Sequence, residues 1–520
     1  MVQQANELAE LSAATVRAWI ALAAEVLSHN AELLNGLNVF PVADSDTGSN
    51  LAASMRGAAV AISELPDANG LADSSHSVQE LLATAARGAL RAGRGNSGVI
   101  LSEWLRGFAQ AYQKSPNLAA ALGQAARSAT EAVAKPAPGT ILTAAQAAAE
   151  AVKGATENCD DEAAAAVYGA RQAAKDSPAS LAALAKAGVP DAGACGLVLV
   201  LAALQAVLAG QRDYEQVSLG FDPFDVPAVE GGAEGAWVEG DDADEDGFEV
   251  MFTLRRPANA TEFQTGQVAV QLRKDLAEIG NSVVVVGGLA VGDENKDSEW
   301  HAHVHVAEVA DALALIARWR KNGVIASIQV RHLAVPAGEL NAWVTTSDPA
   351  LIAEYARSGA VVLVPSEGQS TAEAVVSAVK ASPTTANIVL GEPEDVAAIS
   401  EGLTYPTDLI LGPPNPAAEA LLLMAIGDQV GAGNELDAAR ETAGRLVTAS
   451  SGVGPEGLPP AIKAAASSGL VVATVPDNEP PHELELARAD CEAVGAELVV
   501  IERGDTEPVI YWATENSDGQ

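Results

Sequence analysis

The feature that most constrains the fold is a run of helical sequence that extends from residue 50 to residue 210 with only short interruptions. Apolar residues, mostly alanine and leucine, recur along it at helical spacing, and a similar pattern over residues 4–30 comes before it. No alternating strand pattern occurs before about residue 247, so the first domain is predicted to be all-α. Besides helices over 49–60 and from Gly95 onward, the predicted segments are 78–92, 116–134, 142–155, 160–175, 179–187 and 195–210.

Composition and charge limit the class of protein. Hydrophobic residues make up 48% of the chain and aromatic residues only 4%, which favours closely packed Ala-rich helices, and the net charge of −39 disfavours nucleic acid and anionic membranes as partners. No apolar run reaches the length of a membrane span, and the first ten residues do not resemble a secretory signal. Cys159, Cys195 and Cys491 form no disulfide pattern, so a cytoplasmic location is predicted.

A chain of 520 residues is long enough for several domains. Residues 1–212 are predicted to form the helical domain, and the acidic, Gly- and Pro-rich segment 213–247 a flexible linker. Residues 248–335 have the order βαββαβ, which predicts a small ferredoxin-like α+β domain. In residues 336–520 short apolar strands alternate with helices, which predicts a C-terminal α/β domain with a parallel sheet.

The predicted elements of the second half are short. In the middle domain they are strands at 248–254, 282–287, 301–306 and 324–331 and helices at 261–278 and 308–320. In the C-terminal domain they are strands at 360–364, 387–391, 407–411, 470–475 and 497–502 and helices at 370–381, 413–427, 458–468 and 482–494.

The strongest chemical signal is the polar turn within residues 37–51. It places Asp44 and Asp46 one residue apart, with Asn38 before them and Asn50 after them. Mg²⁺ prefers a few oxygen ligands together with substrate phosphates, so this turn predicts an open magnesium site. An EF-hand is excluded, because a glycine stands at a ligand position and a methionine at the twelfth position. A plain turn with an Asx cap for the following helix stays open as the alternative.

Three further predicted helix starts are also rich in small residues. Gly95-Asn-Ser-Gly98 opens a helix whose exposed N–H groups suit a phosphate, and Pro138–Thr143 and Pro190–Gly196 open two more. The G-x-G-x-x-G match that begins at Gly93 is weak evidence for a dinucleotide site, because a helix rather than a strand precedes it. No Walker A sequence occurs, which excludes a P-loop kinase. Four such helix starts in one all-α domain favour nucleotide–Mg²⁺ binding at a shared rim.

Together these motifs resemble the DhaL/DAK2 nucleotide-binding family, in the branch of the bacterial fatty acid kinase ATP-binding subunit. The resemblance covers roughly residues 5–210, and Asn38 and Thr47 match this branch rather than the dihydroxyacetone kinases, which usually have an acid and a histidine there. The family fold is an antiparallel eight-helix barrel with ATP and Mg²⁺ at one end. The matching motifs are Asn38-Val-Phe-Pro-Val, Asp44-x-Asp46-Thr-Gly, Arg94-Gly-Asn-Ser-Gly-Val-Ile-Leu-Ser, Gly139-Thr-Ile-Leu-Thr and Asp191-Ala-Gly.

The resemblance implies a role for each motif. Asp44 and Asp46 would hold Mg²⁺ against the phosphates as the catalytic pair, with Asn38 assisting. Ser45 stands where the family loop more often has glycine. The residues implied in nucleotide binding are Thr47, Asn96, Ser97 and Gly98 on the phosphates, Thr140, Asp191, Ala192 and Gly193 around the nucleoside, and Asn50 as a further cofactor-binding residue.

The middle domain resembles the family strand that carries two histidines of a zinc site. His303 and His305 share a strand face, but the family cysteine expected near residues 248–252 is absent, and Glu249 could replace it. The alternative is a purely structural histidine pair. The C-terminal region resembles a shortened third domain of the family, best at Gly359–Gln369.

The function expected from the resemblance is phosphoryl transfer from ATP to a fatty acid carboxylate, which needs no general base because it is already ionised. A separate DegV-type fatty-acid-binding protein would present the acid and dock on the C-terminal domain, and the family also implies a homodimer. The alternatives are a dihydroxyacetone-type kinase subunit and a non-catalytic nucleotide-sensing adaptor.

Overall fold

The structure is a computed structural model that divides into two compact units. The first unit comprises residues 1–307, 314–326 and 381–383, and the second comprises 308–313, 327–380 and 384–520. The structure describes residues 11–43, 45–65, 76–155, 159–225, 247–256, 265–288, 298–334, 340–365, 370–380, 386–391, 398–399, 403, 408–411, 446–450, 470–476, 482–503 and 510–514.

A closed ring of helices forms most of the first unit. Eight of its described helices are long, and each packs against the next around the ring until α10 returns to α1. The eight-helix barrel predicted for this region is therefore confirmed. The helices are α1 (Ala13–His29), α2 (Ala31–Gly36), α3 (Thr47–Ser63), α4 (Val78–Ala92), α5 (Gly95–Lys114), α6 (Leu118–Ala132), α7 (Ile141–Ala151), α8 (Cys159–Ser180), α9 (Ala182–Ala187) and α10 (Ala192–Leu208), of which α2 and α9 are short.

Local sequence signals set where these helices begin. The side chains of Ser12, Ser77 and Asn117 accept a hydrogen bond from the backbone N–H three residues further on, at 3.0, 3.1 and 2.7 Å. Each bond satisfies one of the N–H groups that the first turn leaves without a partner. These residues are therefore the N-caps of α1, α4 and α6. Ser77 directly precedes the segment predicted over 78–92, whereas Ser12 and Asn117 lie inside the segments predicted over 4–30 and 116–134.

Small residues allow the helices to pack closely. A Cβ atom on Gly88 of α4 would lie 2.2 Å from the carbonyl oxygen of Gly57 in α3, so only glycine fits at this crossing. Helix α10 is buried along almost its whole length, and the Trp19 Nε1 atom donates a hydrogen bond to the Val200 carbonyl at 2.9 Å. No described helix combines the length and the apolar character that a bilayer span requires.

The helical unit continues past residue 212. Val217 and Leu219 are buried in the helical core, and Arg171 of α8 donates a hydrogen bond to the Leu219 carbonyl. The first part of the segment predicted as a linker therefore packs on the ring. The acidic residues 226–246 lie outside the described residues, and the predicted domain bounds stay predictions.

The middle segment follows the predicted order βαββαβ. Strand β3 pairs with β1 on one side and with β2 on the other, both antiparallel, which gives the order β2-β3-β1. The elements are β1 (Phe248–Arg256), α11 (Thr265–Leu276), β2 (Asn281–Gly288), β3 (Ser298–Val306), α12 (Val309–Trp319) and β4 (Val324–His332).

Strand β2 packs directly on the helical ring. Val284 and Val286 belong to the helical core, and the Ala134 N–H donates to the Val283 carbonyl at 3.0 Å. The Gly287 N–H points to the Glu103 carboxylate on α5 at 3.3 Å. The first strands of the middle segment therefore share one compact unit with the helices.

The second unit contains two groups of strands. In the first group β5 (Leu340–Thr345), β6 (Ala360–Val364), β7 (Ala386–Gly391) and β8 (Asp408–Leu411) are parallel, as predicted, in the order β6-β5-β7-β8, and β4 pairs antiparallel with β6. Helices α13 (Pro349–Arg357) and α14 (Thr371–Lys380) lie between these strands in sequence.

The second group is mixed rather than parallel. Strand β10 (Leu470–Pro476) pairs parallel with β11 (Glu497–Arg503) across α15 (His482–Val494). Strands β9 (Leu446–Ser450) and β12 (Ile510–Thr514), which the sequence did not predict, add antiparallel pairs. The helices predicted at 413–427 and 458–468 lie outside the described residues.

Candidate functional site

Four helix N-termini open on one cavity of about 240 Å³ in the first unit. These are the starts of α3, α5, α7 and α10, which are the four helix starts that the motifs singled out. The predicted residues that line the cavity are Thr47, Asn96, Ser97, Thr140, Asp191 and Gly193. The structure therefore brings together residues from four separate motifs at one end of the ring.

The start of α3 carries the acidic turn. The Thr47 hydroxyl donates to the Asn38 side-chain oxygen at 3.0 Å and lies 3.3 Å from the Ser97 hydroxyl on α5. Asp46 directly precedes α3 and is buried, and its side chain makes no capping bond to the helix. The Asx-cap alternative therefore does not describe Asp46. Asp44 lies outside the described residues.

Ser45 adopts a left-handed backbone conformation with φ of 55°. This region favours glycine, since a Cβ atom there crowds the carbonyl oxygen, at a cost of roughly 1 kcal/mol. The conformation explains physically why a glycine suits this position of the loop.

Two glycines bring α5 against α3. A Cβ atom on Gly95, whose φ is 53°, would lie 2.2 Å from the Asn50 side-chain nitrogen, and one on Gly98 would lie 2.7 Å from the Asn50 carbonyl. The Ser54 hydroxyl also donates to the Gly98 carbonyl at 3.0 Å. Asn50 and Gly98 thus hold the two helices together and are not among the cavity-lining residues, so their binding roles stay predictions.

Asn96 carries an unsatisfied acceptor at this end of the cavity. Its side-chain oxygen is buried and has no hydrogen-bond partner in the described part of the chain. Buried polar atoms are normally paired, by protein groups or by a bound species. The amide is therefore suited to contact a ligand between α3 and α5.

Asp191 joins the starts of α7 and α10. Its carboxylate accepts the Ala194 N–H at 2.7 Å and also bonds to the backbone N–H groups of Gly193 and Ile141. Burial nevertheless raises the pKa of Asp191 to about 7, against the effect of these three bonds. Ala192 is buried behind it and does not line the cavity.

The remaining walls of the cavity are mostly apolar, and the sequence did not predict them. Lys135 is the one cationic side chain among the described lining residues, and it is exposed. The sequence signal that could have identified Lys135 is its position just before the Pro138–Thr143 motif. The other lining residues that were missed are Phe40, Pro41, Ile100, Val133, Ala134, Ala137, Ile141, Leu142, Ala277 and Gly280–Val284.

A second polar cluster lies on the sheet of the first unit. Glu249 on β1 and His303 and His305 on β3 are buried, and each offers a ligand atom within 4.8 Å of the others. The shared strand face predicted for the two histidines is confirmed. The His303 Nε2 atom lies 2.8 Å from a Glu249 oxygen, whereas the His305 Nδ1 atom is buried without a partner in the described residues. Burial, and then the charge of His303, lower the pKa of His305 to about 3.

Comparison with known proteins finds a family match for the helical region. A family model described as the DAK2 domain matches residues 41–206, which confirms the resemblance inferred from the motifs over this range. Residues 41–206 of this chain therefore match a DAK2 domain, which covers most of the helical ring.

The relatives are similar over only part of their length. Protein YloV of Bacillus subtilis (strain 168) is 27% identical over 311 residues, which cover 58% of this chain and 52% of YloV. An uncharacterized protein of Staphylococcus aureus (strain USA300) is 40% identical over 127 residues, 24% of this chain and 22% of that protein. The chain thus spans about half of the first relative and less of the second. The dihydroxyacetone kinase of C. freundii has 24% identity and a TM-score of 0.32, over 38% of this chain and 35% of that one.

Asp191→Asn is expected to remove a pH dependence of stability. The folded-state pKa is raised from 3.8 to about 7, so the native chain keeps a proton that the unfolded chain releases. The stability that Asp191 contributes is present below about pH 4 and is lost as the pH rises through 7, by up to about 4 kcal/mol. Asparagine caps a helix comparably, so the cap is preserved.

Urea unfolding between about pH 5 and pH 8 checks this expectation. The unfolding free energy of the wild type minus that of the variant should fall as the pH rises. Asp160→Asn, which removes an exposed carboxylate from the first turn of α8, is the matched control and should give no such trend. A constant difference between wild type and Asp191→Asn would contradict the burial argument.

Proposed function

We propose that this chain transfers the terminal phosphoryl group of ATP to a fatty acid carboxylate presented by a separate lipid-binding protein. The DAK2 domain supports a kinase or nucleotide-binding role for the helical unit. To this role the proposal adds the fatty acid as acceptor, Mg²⁺ as the metal ion and a separate protein as the partner. The observation that carries it is the convergence of four helix N-termini on one cavity in a chain of net charge −39.

Helix N-termini explain how so acidic a chain can bind a polyphosphate. The starts of α3 and α5 have no capping side-chain bond, so they present N–H groups and a partial positive charge side by side. At the starts of α7 and α10 the Asp191 carboxylate already accepts three N–H groups. Thr47 and Ser97 add hydroxyl donors, and Lys135 adds a full positive charge at the rim. Phosphoryl transfer depends mainly on positioning and on stabilising charge, which such a fixed set of donors supplies.

The acidic turn has the oxygen donors that suit Mg²⁺. We propose that Asp46 holds the ion together with Asp44, and that Asn38, whose side-chain oxygen accepts from Thr47, assists. Carboxylates with substrate phosphates are the usual magnesium environment in such enzymes. When bound, Mg²⁺ withdraws charge from the transferred phosphoryl group.

The size of the cavity supports a separate carrier for the acceptor. About 240 Å³ lies just below the roughly 300–1,000 Å³ usual for small-molecule sites, so it leaves no room for an acyl chain beside a nucleotide. A carboxylate acceptor is ionised at neutral pH, which agrees with the absence of histidine from residues 35–60. We propose a DegV-type fatty-acid-binding protein as the carrier and the C-terminal unit as its docking region.

The two alternatives make different demands. A dihydroxyacetone kinase binds its ketone covalently on a histidine, and His303 and His305 are buried in the sheet, away from solvent. A nucleotide-sensing adaptor would bind Mg-ATP without turnover. Only the kinase proposal requires both the acidic turn and a lipid-loaded partner for activity.

Asp46→Asn is expected to lower the rate of acyl phosphate formation on the order of 100-fold or more, because it removes a carboxylate that holds Mg²⁺ against the phosphates. The measurement is ATP turnover by the full chain with a purified, lipid-loaded DegV-type protein. Circular dichroism reports whether the helical unit still folds.

Asp160→Asn again serves as the matched control and should keep wild-type turnover. Full activity in Asp46→Asn would remove the acidic turn from the mechanism. A wild type that binds Mg-ATP but shows no turnover with any acceptor would identify the adaptor. Turnover with dihydroxyacetone alone would identify the other kinase.

The Glu249, His303 and His305 cluster fits a metal ion. The Ser282 carbonyl can only accept, so the His303 Nδ1 atom, 3.1 Å away, must carry a proton, and the neutral Nε2 atom then faces the Glu249 oxygen as a second acceptor. A shared proton or a cation is needed between them. The His305 nitrogen without a hydrogen-bond partner provides a third metal ligand. We therefore propose that Zn²⁺ binds there, with glutamate in place of the family cysteine.

Metal analysis tests this assignment. The purified chain is expected to contain about one zinc per molecule by mass spectrometry, and His305→Ala should lose most of it. His301→Ala, on the same strand but bonded to Glu299 outside the cluster, is the control and should retain the metal. A wild-type chain that takes up no zinc would mean that the cluster shares a proton instead.

A further inference from the structure

We propose that residues Asn281–Val284, which lie beyond the DAK2 match, complete the nucleotide site by contacting the nucleoside, and that His303 positions them. This inference rests on the proposed nucleotide binding and adds a residue set that the DAK2 motifs do not contain. It also means that the helical region alone forms an incomplete site.

The first observation is the composition of the cavity wall. Asn281, Ser282, Val283 and Val284 line the same cavity as Thr140 and Gly193, and all lie in the first compact unit. The two valines are buried. With Val133, Ile141 and Leu142 they form apolar walls of the kind that encloses a planar base.

The second observation decides which end of the nucleotide this wall meets. The Ala134 N–H bonds to the Val283 carbonyl, and Val133 pairs with Val284 in an isolated antiparallel bridge. The wall is thus fixed to the segment that leads into Thr140 at the start of α7. The proposed function puts the phosphates at Thr47 and Ser97, at the starts of α3 and α5. The part of the cavity next to Thr140 and the wall is then left for the nucleoside.

The third observation is the backbone of Ser282. Its φ of 51° is left-handed, and among the described non-glycine residues only Ser45, in the acidic turn, shares this feature. Strained residues persist where surrounding structure holds them, often at ligand sites. The Ser282 hydroxyl also makes no hydrogen bond within the described part of the chain, so it is available to a ribose or base.

His303 helps to hold Ser282 in this conformation, within the irregular pairing of β2 between Asn281 and Val284. The Nδ1 atom donates to the Ser282 carbonyl at 3.1 Å, while the ring is completely buried and cannot touch a ligand itself. On the other side of the bend, a Cβ atom on Gly280 would lie 2.1 Å from the His305 carbonyl. His303 is therefore a positioning residue that acts through the Ser282 peptide.

Two probes separate the nucleoside end from the phosphate end. Dissociation constants for Mg-ATP and Mg-pyrophosphate are measured by calorimetry on the full chain. Ser282→Ala is expected to weaken Mg-ATP about 5- to 10-fold, as loss of one hydrogen bond does, and to leave Mg-pyrophosphate unchanged. Ser97→Ala should weaken both, and Val270→Ala, an exposed change on α11, should weaken neither.

The positioning role has its own variants. His303→Ala should reproduce the selective loss of Mg-ATP affinity. His303→Asn should restore most of it, because the asparagine amide places a donor near the Nδ1 position. Asparagine does not replace the Nε2 atom that faces Glu249, so a loss caused by the metal cluster would not be rescued in this way.

The outcomes distinguish this inference from the proposed function. If the wild type binds Mg-ATP and Ser282→Ala binds it equally, or loses both probes in the same proportion, the nucleoside wall is wrong while nucleotide binding stands. If the wild type binds neither probe, the proposed function fails and the wall fails with it. Failure of His303→Ala to fold leaves the decision to Ser282→Ala.

Discussion

The close contact between α3 and α5 is the constraint on which the site depends. Gly95 and Gly98 allow α5 to approach Asn50 at distances that any side chain would prevent. Because of this approach the Thr47 and Ser97 hydroxyls lie 3.3 Å apart at the two helix starts. The hydrogen-bond donors of two different motifs can then contact the same polyphosphate group.

The same geometry resolves the contrast between the charge of the chain and the charge of its proposed substrate. A net charge of −39 would repel a nucleotide from a featureless surface. The starts of α3 and α5 face the cavity without a capping side-chain bond, so their oriented N–H groups provide a local positive field there despite the net charge. Asp191, buried among these starts with a pKa of about 7, bonds to three N–H groups and joins α7 to α10.

Much of the helical unit could be predicted from the sequence, since helix positions follow from local apolar spacing and small-residue starts. The motifs also identified six residues that the structure brings to one cavity. The wall at Asn281–Val284 could not be found in this way. The strand was predicted, but its attachment to Val133 and Ala134 is a contact between distant parts of the chain that no local pattern encodes.

The histidine cluster likewise has one part that the sequence predicted and one part that only the fold reveals. The alternation of β3 predicted that His303 and His305 share a face. Glu249 was considered as the third ligand because the resemblance places a cysteine near residues 248–252, where this chain has none. The bond from His303 to Ser282, which links this cluster to the cavity, depends on the pairing of β2 with β3 and became visible only in the fold.

A crystal structure with Mg²⁺ and a non-hydrolysable ATP analogue tests the central claim most directly. The account predicts the triphosphate between the starts of α3 and α5, with the ion on the acidic turn and the nucleoside between α7, α10 and Asn281–Val284. A nucleotide bound elsewhere on the chain, or one whose phosphates lie away from Thr47 and Ser97, would contradict it.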